Sequence, residues 1–380
     1  MTLTSNAIEY AESNGIDDRK KMGGFYRSVK GVRIPSCYKV AIITRACAVV
    51  KSRKEERKRG MSRTRRRKAL RSMVCIMTGY FVTATGRLFV SLGPDRYEMI
   101  QLNRYVFRRV TQDGVKIRSL TVRDSSISIC YSKEVEPIEV NTVFGVDRNE
   151  RNITFGNYDR VSRVNLSEVV RVNQVTREVV ESFKRDDDRV REELASKYWR
   201  RAKHRIGQVL HNATNFIVDE AVENGAALAM EDIREIRKMY QEGNGQGANR
   251  RFRLNSWPFS KAQRMLVYKS AWKGVTVLQL TVAETRGSSS THVCGKRLRS
   301  PTRGDIWHRR MLWCEECRVW VDRDVNASMT LSTRGLARLA SSLPHAAKKE
   351  RAPGGEKGGI VEAVRGNQTT PAILRVDVSK

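Results

Sequence analysis

Residues 141–147 read NTVFGVD, a short apolar strand that ends on an acid, and from this stretch onward the chain takes an α/β pattern. HRIGQVLHNATNFIVDEAVENG (204–225) follows as an amphipathic helix, with Ile206, Leu210, Ala213 and Ile217 on one stripe and Gly225 as its stop. AALAMED (226–232) is a second buried strand running into Glu231, and VTVLQLTV (275–282) a third, with the helix WPFSKAQRMLVYKSAWKG (257–274) between them. With the helical and β-rich segments upstream, the chain reads as multidomain α+β. In open α/β sheets functional groups collect at the carboxyl ends of strands.

Upstream the character differs. Residues 1–78 have helical spacing and end in a basic run in which Arg63, Arg65, Arg66, Arg67 and Lys68 are nearly continuous. Residues 79–140 alternate apolar and polar positions between Gly, Asn and Asp turns, which predicts a small antiparallel β module. Beyond 335, ERAPGGEKGG lies within a stretch expected to be a flexible tail, 336–380.

The 380 residues carry 72 Lys and Arg against 41 Asp and Glu, a net charge of +31. That excess favours a polyanionic partner, because phosphate contacts release counterions. The basic run is one candidate contact surface; Arg200, Arg201 and Lys203 on the second half's long helix are another, with a merely solvated face as the alternative for both. The opening MTLTSNAIEYAESNG is polar and acidic, unlike a secretory signal, and no apolar run has bilayer-spanning length. Cys37, Cys47, Cys75 and Cys130 are scattered, as expected of free thiols in a reducing compartment.

Three acids hold comparable places: Asp147 and Glu231 after apolar strands, and Asp324 at the start of the helical VNASMTLSTRGLARL. Carboxylates gathered without a basic partner repel one another unless cations neutralise them, so such a trio suits Mg²⁺ or Mn²⁺, with two ions able to drive phosphodiester cleavage. Alternatively each acid is a strand-end turn residue, or, for Asp324, a helix cap. Beside Asp324, WCEECRVWVD holds Cys314 and Cys317, soft ligands that with Cys294 suit zinc, and His292 or His308 stands near as a fourth donor.

The ordered set FGVDRNERNITFGN, ALAMEDIREIRKM, WPFSKAQRMLVYKSAWKGVTVLQL and SSSTHVCGKRL … LWCEECRVWVDRDVNAS resembles TnpB, the transposon-encoded RNA-guided nucleases from which type V CRISPR effectors derive. The resemblance covers roughly 141–335, and EAVRGNQTTPAILRVDVSK is similar to the tail of archaeal members. It implies a RuvC-like, ribonuclease H fold nuclease domain at 141–335 with an inserted zinc ribbon at about 285–320. A helical recognition lobe at 1–78 and a β-rich wedge domain at 79–140 would precede it. Asp147, Glu231 and Asp324 match the family's catalytic metal ligands, while Asp322 does not. One structural zinc would sit on Cys294, Cys314, Cys317 and His292. The family usually has two C-x-x-C pairs; here Thr291 stands where one Cys would be. The implied activity is Mg²⁺-dependent hydrolysis of double- or single-stranded DNA beside a short motif, guided by RNA from the transposon end, in the prokaryotic cytoplasm near the nucleoid. A miniature type V CRISPR effector and a guide-dependent DNA binder without cleavage are the alternatives.

Overall fold

The structure is a computed structural model that describes residues 2–58, 60, 74–93, 96–122, 126–183, 187–233, 247–301, 310–349 and 372–377. The chain divides into two compact units, 1–134 with 369–380, and 135–368. Among the described residues, no helix is long and apolar enough to cross a membrane.

In the first unit, α1 (Thr2–Ser13) packs on α3 (Ser36–Lys58), with the short α2 (Gly23–Ser28) contributing Phe25 to a core of Ala7, Ala11, Ile43, Ala46 and Val50. The strands are β1 (Val74–Ile76), β2 (Tyr80–Val82), β3 (Arg87–Gly93), β4 (Arg96–Gln101), β5 (Val115–Val122) and β6 (Ser126–Lys133). β2, β3 and β4 form an antiparallel meander, and β1, β5 and β6 a second antiparallel sheet. Three sequence expectations change here. The helical segment gives way to β1 before residue 78, because Ile76 is needed in the β core beside Leu88, Leu120 and Ile129. A helix, α4 (Arg104–Val110), interrupts the β stretch; the Asn103 side chain accepts from the Val106 N–H at 2.9 Å and caps it. The stretch after 335 is ordered in part, as described below. The basic run from Arg63 to Lys68 lies outside the described residues.

The second unit is built on a five-stranded sheet of β7 (Thr142–Arg148), β8 (Asn152–Gly156), β9 (Val161–Asn165), β10 (Ala226–Glu231) and β11 (Val277–Leu280). The order is β11-β10-β7-β8-β9; β7, β10 and β11 are parallel, and β8 is antiparallel to both its neighbours. α5 (Ser167–Glu181), α6 (Ala195–Glu223) and α8 (Phe259–Trp272) share one core with Phe144, Val146, Leu228 and Met230. The predicted stripe on α6 is buried there. The shorter α7 (Ala248–Ser256) precedes α8, and α9 (Val282–Thr285) follows β11 behind a capping box of Thr281 and Glu284. A two-stranded ribbon, β12 (Met311–Cys314) and β13 (Val319–Asp322), leads into α10 (Arg323–Lys349). α10 thus continues past 335, where a flexible tail was expected; in the first unit, β14 (Ala372–Asp377) pairs antiparallel with β6 and makes that sheet four-stranded.

α10 covers the opposite sheet face, and strand parity explains why it lies so close. Side chains alternate along a strand. On β7 and β10 one face carries Phe144, Val146, Leu228 and Met230, and the other the smaller Val143, Gly145, Ala227 and Ala229. The small face admits α10: Ser328 Oγ donates to the Gly145 carbonyl at 2.8 Å and Ser332 Oγ to that of Val143 at 2.6 Å. A Cβ on Gly145 would collide with the Ser328 carbonyl and lie 2.8 Å from the Leu331 Cβ. Gly145→Ala should therefore cost roughly 3 kcal/mol or more, since neither backbone can yield. Gly93→Ala, whose nearest neighbour would be 4.0 Å away, should cost far less. Urea melts of both variants check this; equal midpoints would refute the tight helix–strand contact.

Candidate functional site

The same parity selects the acids. Asp147 continues the Val143–Gly145 face, and Glu231 continues that of Ala227 and Ala229. Because Met230 is in register with Val146 on the parallel pair, Glu231 and Asp147 emerge side by side at the strand ends. α10 runs antiparallel to β7, as its residues 328 and 332 meet 145 and 143 in turn, so its N-terminus and Asp324 arrive at that same end. Asp324 is 4% exposed.

The structure brings Asp324 and Glu231 within electrostatic reach of Asp147. Burial above all, and then the charges of Asp324 and Glu231, push the Asp147 carboxyl up to about 6, against a hydrogen bond from Asn149 that pulls it down. Asn149 Nδ2 donates to Asp147 Oδ2 at 2.7 Å, and Asn152 Nδ2 to Asp324 Oδ2 at 3.3 Å. Thr154, opposite Asp147 on β8, donates its hydroxyl to Asn152 Oδ1 at 3.2 Å and fixes that amide. Ser288 Oγ donates to Glu231 Oε1 at 3.4 Å.

Two sequence readings are corrected. Asp324 does not cap its helix: Asp322 Oδ1 accepts from the backbone N–H of Asp324 at 2.8 Å and of Val325 at 3.2 Å, leaving the Asp324 carboxylate to the acid cluster. Nor are the acids without basic partners. Arg310, whose side chain is exposed, pairs with Asp324, and Arg163 Nη2 lies 2.9 Å from Asp322 and 3.9 Å from Asp324. On the other sheet face, Arg148 is 5% exposed and donates to Gln263 Oε1 at 2.8 Å and to the Glu231 carbonyl. Gln263 in turn reaches Asp232 at 3.3 Å. Parity thus assigns Asp232 to this buried network and Glu231 to the acid cluster. Local sequence pattern could find the acids; it could not find arginines that come from β9 and the ribbon.

Three carboxylates at one end of the sheet are a hard-oxygen donor set of the kind Mg²⁺ or Mn²⁺ takes. The nearest cation on Asp324 belongs to an exposed side chain that can swing aside.

The second cluster is more closed. His292, Cys294, Cys314 and Cys317 place one ligand atom each within 4.8 Å of all the others, the one such group among the described residues. His292 Nδ1 is 3.1 Å from Cys294 Sγ and 3.5 Å from Cys317 Sγ; Cys294 and Cys314 sulfurs are 3.6 Å apart. Tetrahedral zinc with Zn–S near 2.3 Å and Zn–N near 2.1 Å needs donors roughly 3.5–3.8 Å apart. The Lys296 backbone N–H first, then His292, draw the Cys294 thiol down to about 6. The hydrogen bond with Cys294 pushes the Cys317 thiol up to about 11. The residue after each terminal Cys is left-handed, Gly295 at φ 86° and Arg318 at φ 52°, which turns the chain back around the donors. His308, the other candidate donor, lies outside the described residues. Arg200, Arg201 and Lys203 are exposed along α6, whereas the neighbouring Arg205 pairs with Glu168 at 2.8 Å.

Residues 259–331 match the family model described as Cas12f1-like, TNB domain. The chain is 30% identical over 226 residues to TnpB-like protein MJ0751 of Methanocaldococcus jannaschii, covering 57% of this chain and 77% of that protein. Among solved structures, a Cas12f1–sgRNA–target DNA complex aligns over 87% of this chain and 92% of its own at 14% identity and a TM-score of 0.38. A CRISPR-Cas12f ternary complex aligns over 87% and 80% at 11% identity and the same TM-score of 0.38.

The raised Asp147 carboxyl makes a stability prediction. The folded chain holds that proton up to about 6, whereas an unfolded carboxyl releases it near its ordinary value of 3.8, so ionisation costs stability progressively across that window and fully above it. Asp147→Asn should raise the stability of protein without added divalent cations by on the order of 1–2 kcal/mol at pH 7.5. The gain should vanish near pH 4. Thermal melts across pH check it, and a destabilised variant at pH 7.5 would contradict the like-charge cluster.

Proposed function

The chain belongs to the TnpB-like family, and from that membership we propose that it is an RNA-guided endonuclease cutting DNA by metal-dependent phosphodiester hydrolysis. The observation that carries this is the convergence of Asp147, Glu231 and Asp324 at one end of the sheet, with the Asp147 carboxyl raised by its burial first and then by the charges of the other two. The sheet order, with β8 antiparallel beside three parallel strands, supports a RuvC-like, ribonuclease H reading of 141–335. Magnesium or manganese, when bound, supplies activation of water and charge neutralisation at the leaving oxygen. Asp147, Glu231 and Asp324 would hold one or two such ions. Asn149 and Asn152 orient two of those carboxylates, and the helix N-terminus of α10 favours the negative charge of Asp324. Arg310 and Arg163 stand where a scissile phosphate would approach the acids, and a phosphate is a natural alternative partner for each guanidinium.

His292, Cys294, Cys314 and Cys317 would hold one structural zinc, a ribbon anchored beside the third acid. The net charge of +31, the basic run Arg63–Lys68 and the α6 cations Arg200, Arg201 and Lys203 fit an RNA guide and a DNA target. In this reading the guide derives from a transposon end, and the helical and β-rich segments of the first unit serve as recognition lobe and wedge.

Asp147→Ala, Glu231→Ala and Asp324→Ala should each reduce Mg²⁺-dependent cleavage at least about a hundredfold, each removing a ligand. Guide and target binding should persist, since it comes from phosphate contacts and base pairing. Cleavage assays and gel shifts on the same preparations, with copurified RNA as guide, decide. Full cleavage by any variant removes that residue from the site; binding without cleavage by the wild type makes the protein a guide-dependent binder.

Elemental analysis should find about one zinc per chain. Cys314→Ser, at the buried position, should abolish it and lower the melting temperature; protein that is folded and zinc-free would refute the ribbon.

A further inference from the structure

Between α9 and the first zinc donor runs the segment Arg286–Thr291, RGSSST, which neither the acid site nor the zinc cluster contains. It is strapped along one face of α10. Arg334 Nη1 donates to the Arg286 carbonyl at 3.2 Å, Thr330 Oγ1 to that of Thr291 at 3.5 Å, and Arg323 Nη2 to Ser289 Oγ at 3.5 Å. The centre of the strap is Asn326, fully buried. Its amide spends both hydrogens on the segment, donating to the Ser288 carbonyl at 3.0 Å and the Thr291 carbonyl at 2.9 Å. Two acceptors on that side dictate the amide's orientation. Its own Oδ1 meets no donor among the described residues, an arrangement that costs stability compared with a satisfied or apolar group. What it provides in return is geometry, since no apolar side chain can clamp two carbonyls three residues apart.

The clamped segment touches both metal centres. Ser288, whose carbonyl is held by Asn326, sends its hydroxyl to Glu231 Oε1. Thr291, whose carbonyl is also held, is followed directly by the zinc donor His292. Asn326 itself sits two positions along α10 from Asp324. A continuous chain of contacts therefore leads from the knuckle to Glu231 and Asp324, acids that come from different elements.

We infer that Ser288 and Asn326 are positioning residues that set the placement of Glu231 relative to Asp324, and that loading of the zinc knuckle is thereby coupled to divalent-cation affinity at the acid site. The inference rests on the metal-dependent nuclease reading above. Binding at the two sites must then be reciprocally linked, each ion favouring the arrangement the other needs.

The test is Mn²⁺ binding to full-length protein with its copurified RNA, followed by the electron paramagnetic resonance of free Mn²⁺. The part of the binding lost in Asp324→Ala defines the acid site. Zinc content, melting temperature and the Mn²⁺ dependence of cleavage are measured in parallel. Ser288→Ala should keep its zinc and its melting temperature, yet bind site-specific Mn²⁺ about fivefold or more weakly. It should need correspondingly more Mn²⁺ for half-maximal cleavage, with the saturated rate much less affected, and Ser288→Thr, which keeps the hydroxyl, should restore affinity. Asn326→Asp, isosteric but without donors, should weaken Mn²⁺ binding and also release zinc faster to a chelator; should it fail to fold, Ser288→Ala carries the test. Zinc-poor Cys317→Ser should lose Mn²⁺ affinity by a similar factor. Wild-type Mn²⁺ affinity in folded, zinc-loaded Ser288→Ala would overturn the positioning role, and wild-type affinity in Cys317→Ser would overturn the coupling. Mn²⁺ binding by the wild type no stronger than by Asp324→Ala would instead overturn the nuclease reading, and this inference with it.

Discussion

The contact on which the second unit depends is that of α10 with β7, helix backbone against strand backbone. Gly145 leaves no side chain in the way, Ser328 and Ser332 bond directly to strand carbonyls, and Gly335 lets the helix lie against Ala229 and Val143, where a Cβ would come within 2.6 Å and 2.9 Å of their side-chain atoms. The hydroxyl bonds fix the helix lengthwise as well as in depth. Lengthwise placement is what matters for chemistry, because a shift of one helical turn, about 5.4 Å, would carry Asp324 away from Asp147.

The nearness of thiol and carboxylate ligands in 314–324 follows from the same arrangement. β12 and β13 form a ribbon whose far end carries Cys314 and Cys317, and whose near end delivers the chain to α10. Asp322 closes the ribbon and caps the helix; Asp324, one residue inside it, faces the strand ends. Soft and hard donors are segregated by the length of one short strand, so two ions of different character can be kept apart.

Much of this was legible in the sequence because it is local or periodic. The apolar strands ending in Asp147 and Glu231 and the Ile206–Leu210–Ala213–Ile217 stripe follow from alternation and helical spacing alone. The choice of Glu231 over Asp232 lay in the small-residue parity of 226–230. Other features were not legible because they are set by distant neighbours. α4 forms inside a stretch with strand-like composition because Val106 and Val110 complete a core made by Leu88, Leu120 and Ile129. β14 is placed by the free edge of β6, some 240 residues earlier in the chain. Arg163 and Arg310 reach Asp324 only once β9 and the ribbon have folded beside α10. The family resemblance supplied the reading of the acids as one site; the structure supplies the reason they meet.

The most direct measurement is a crystal structure of the protein grown with Mn²⁺, with anomalous data collected on either side of the zinc and manganese absorption edges. A zinc peak is expected among His292, Cys294, Cys314 and Cys317, and manganese density at Asp147, Glu231 and Asp324, with Arg310 withdrawn from the carboxylate. Manganese held by only one of the three acids, or bound elsewhere while the acids remain paired with arginines, would contradict that expectation.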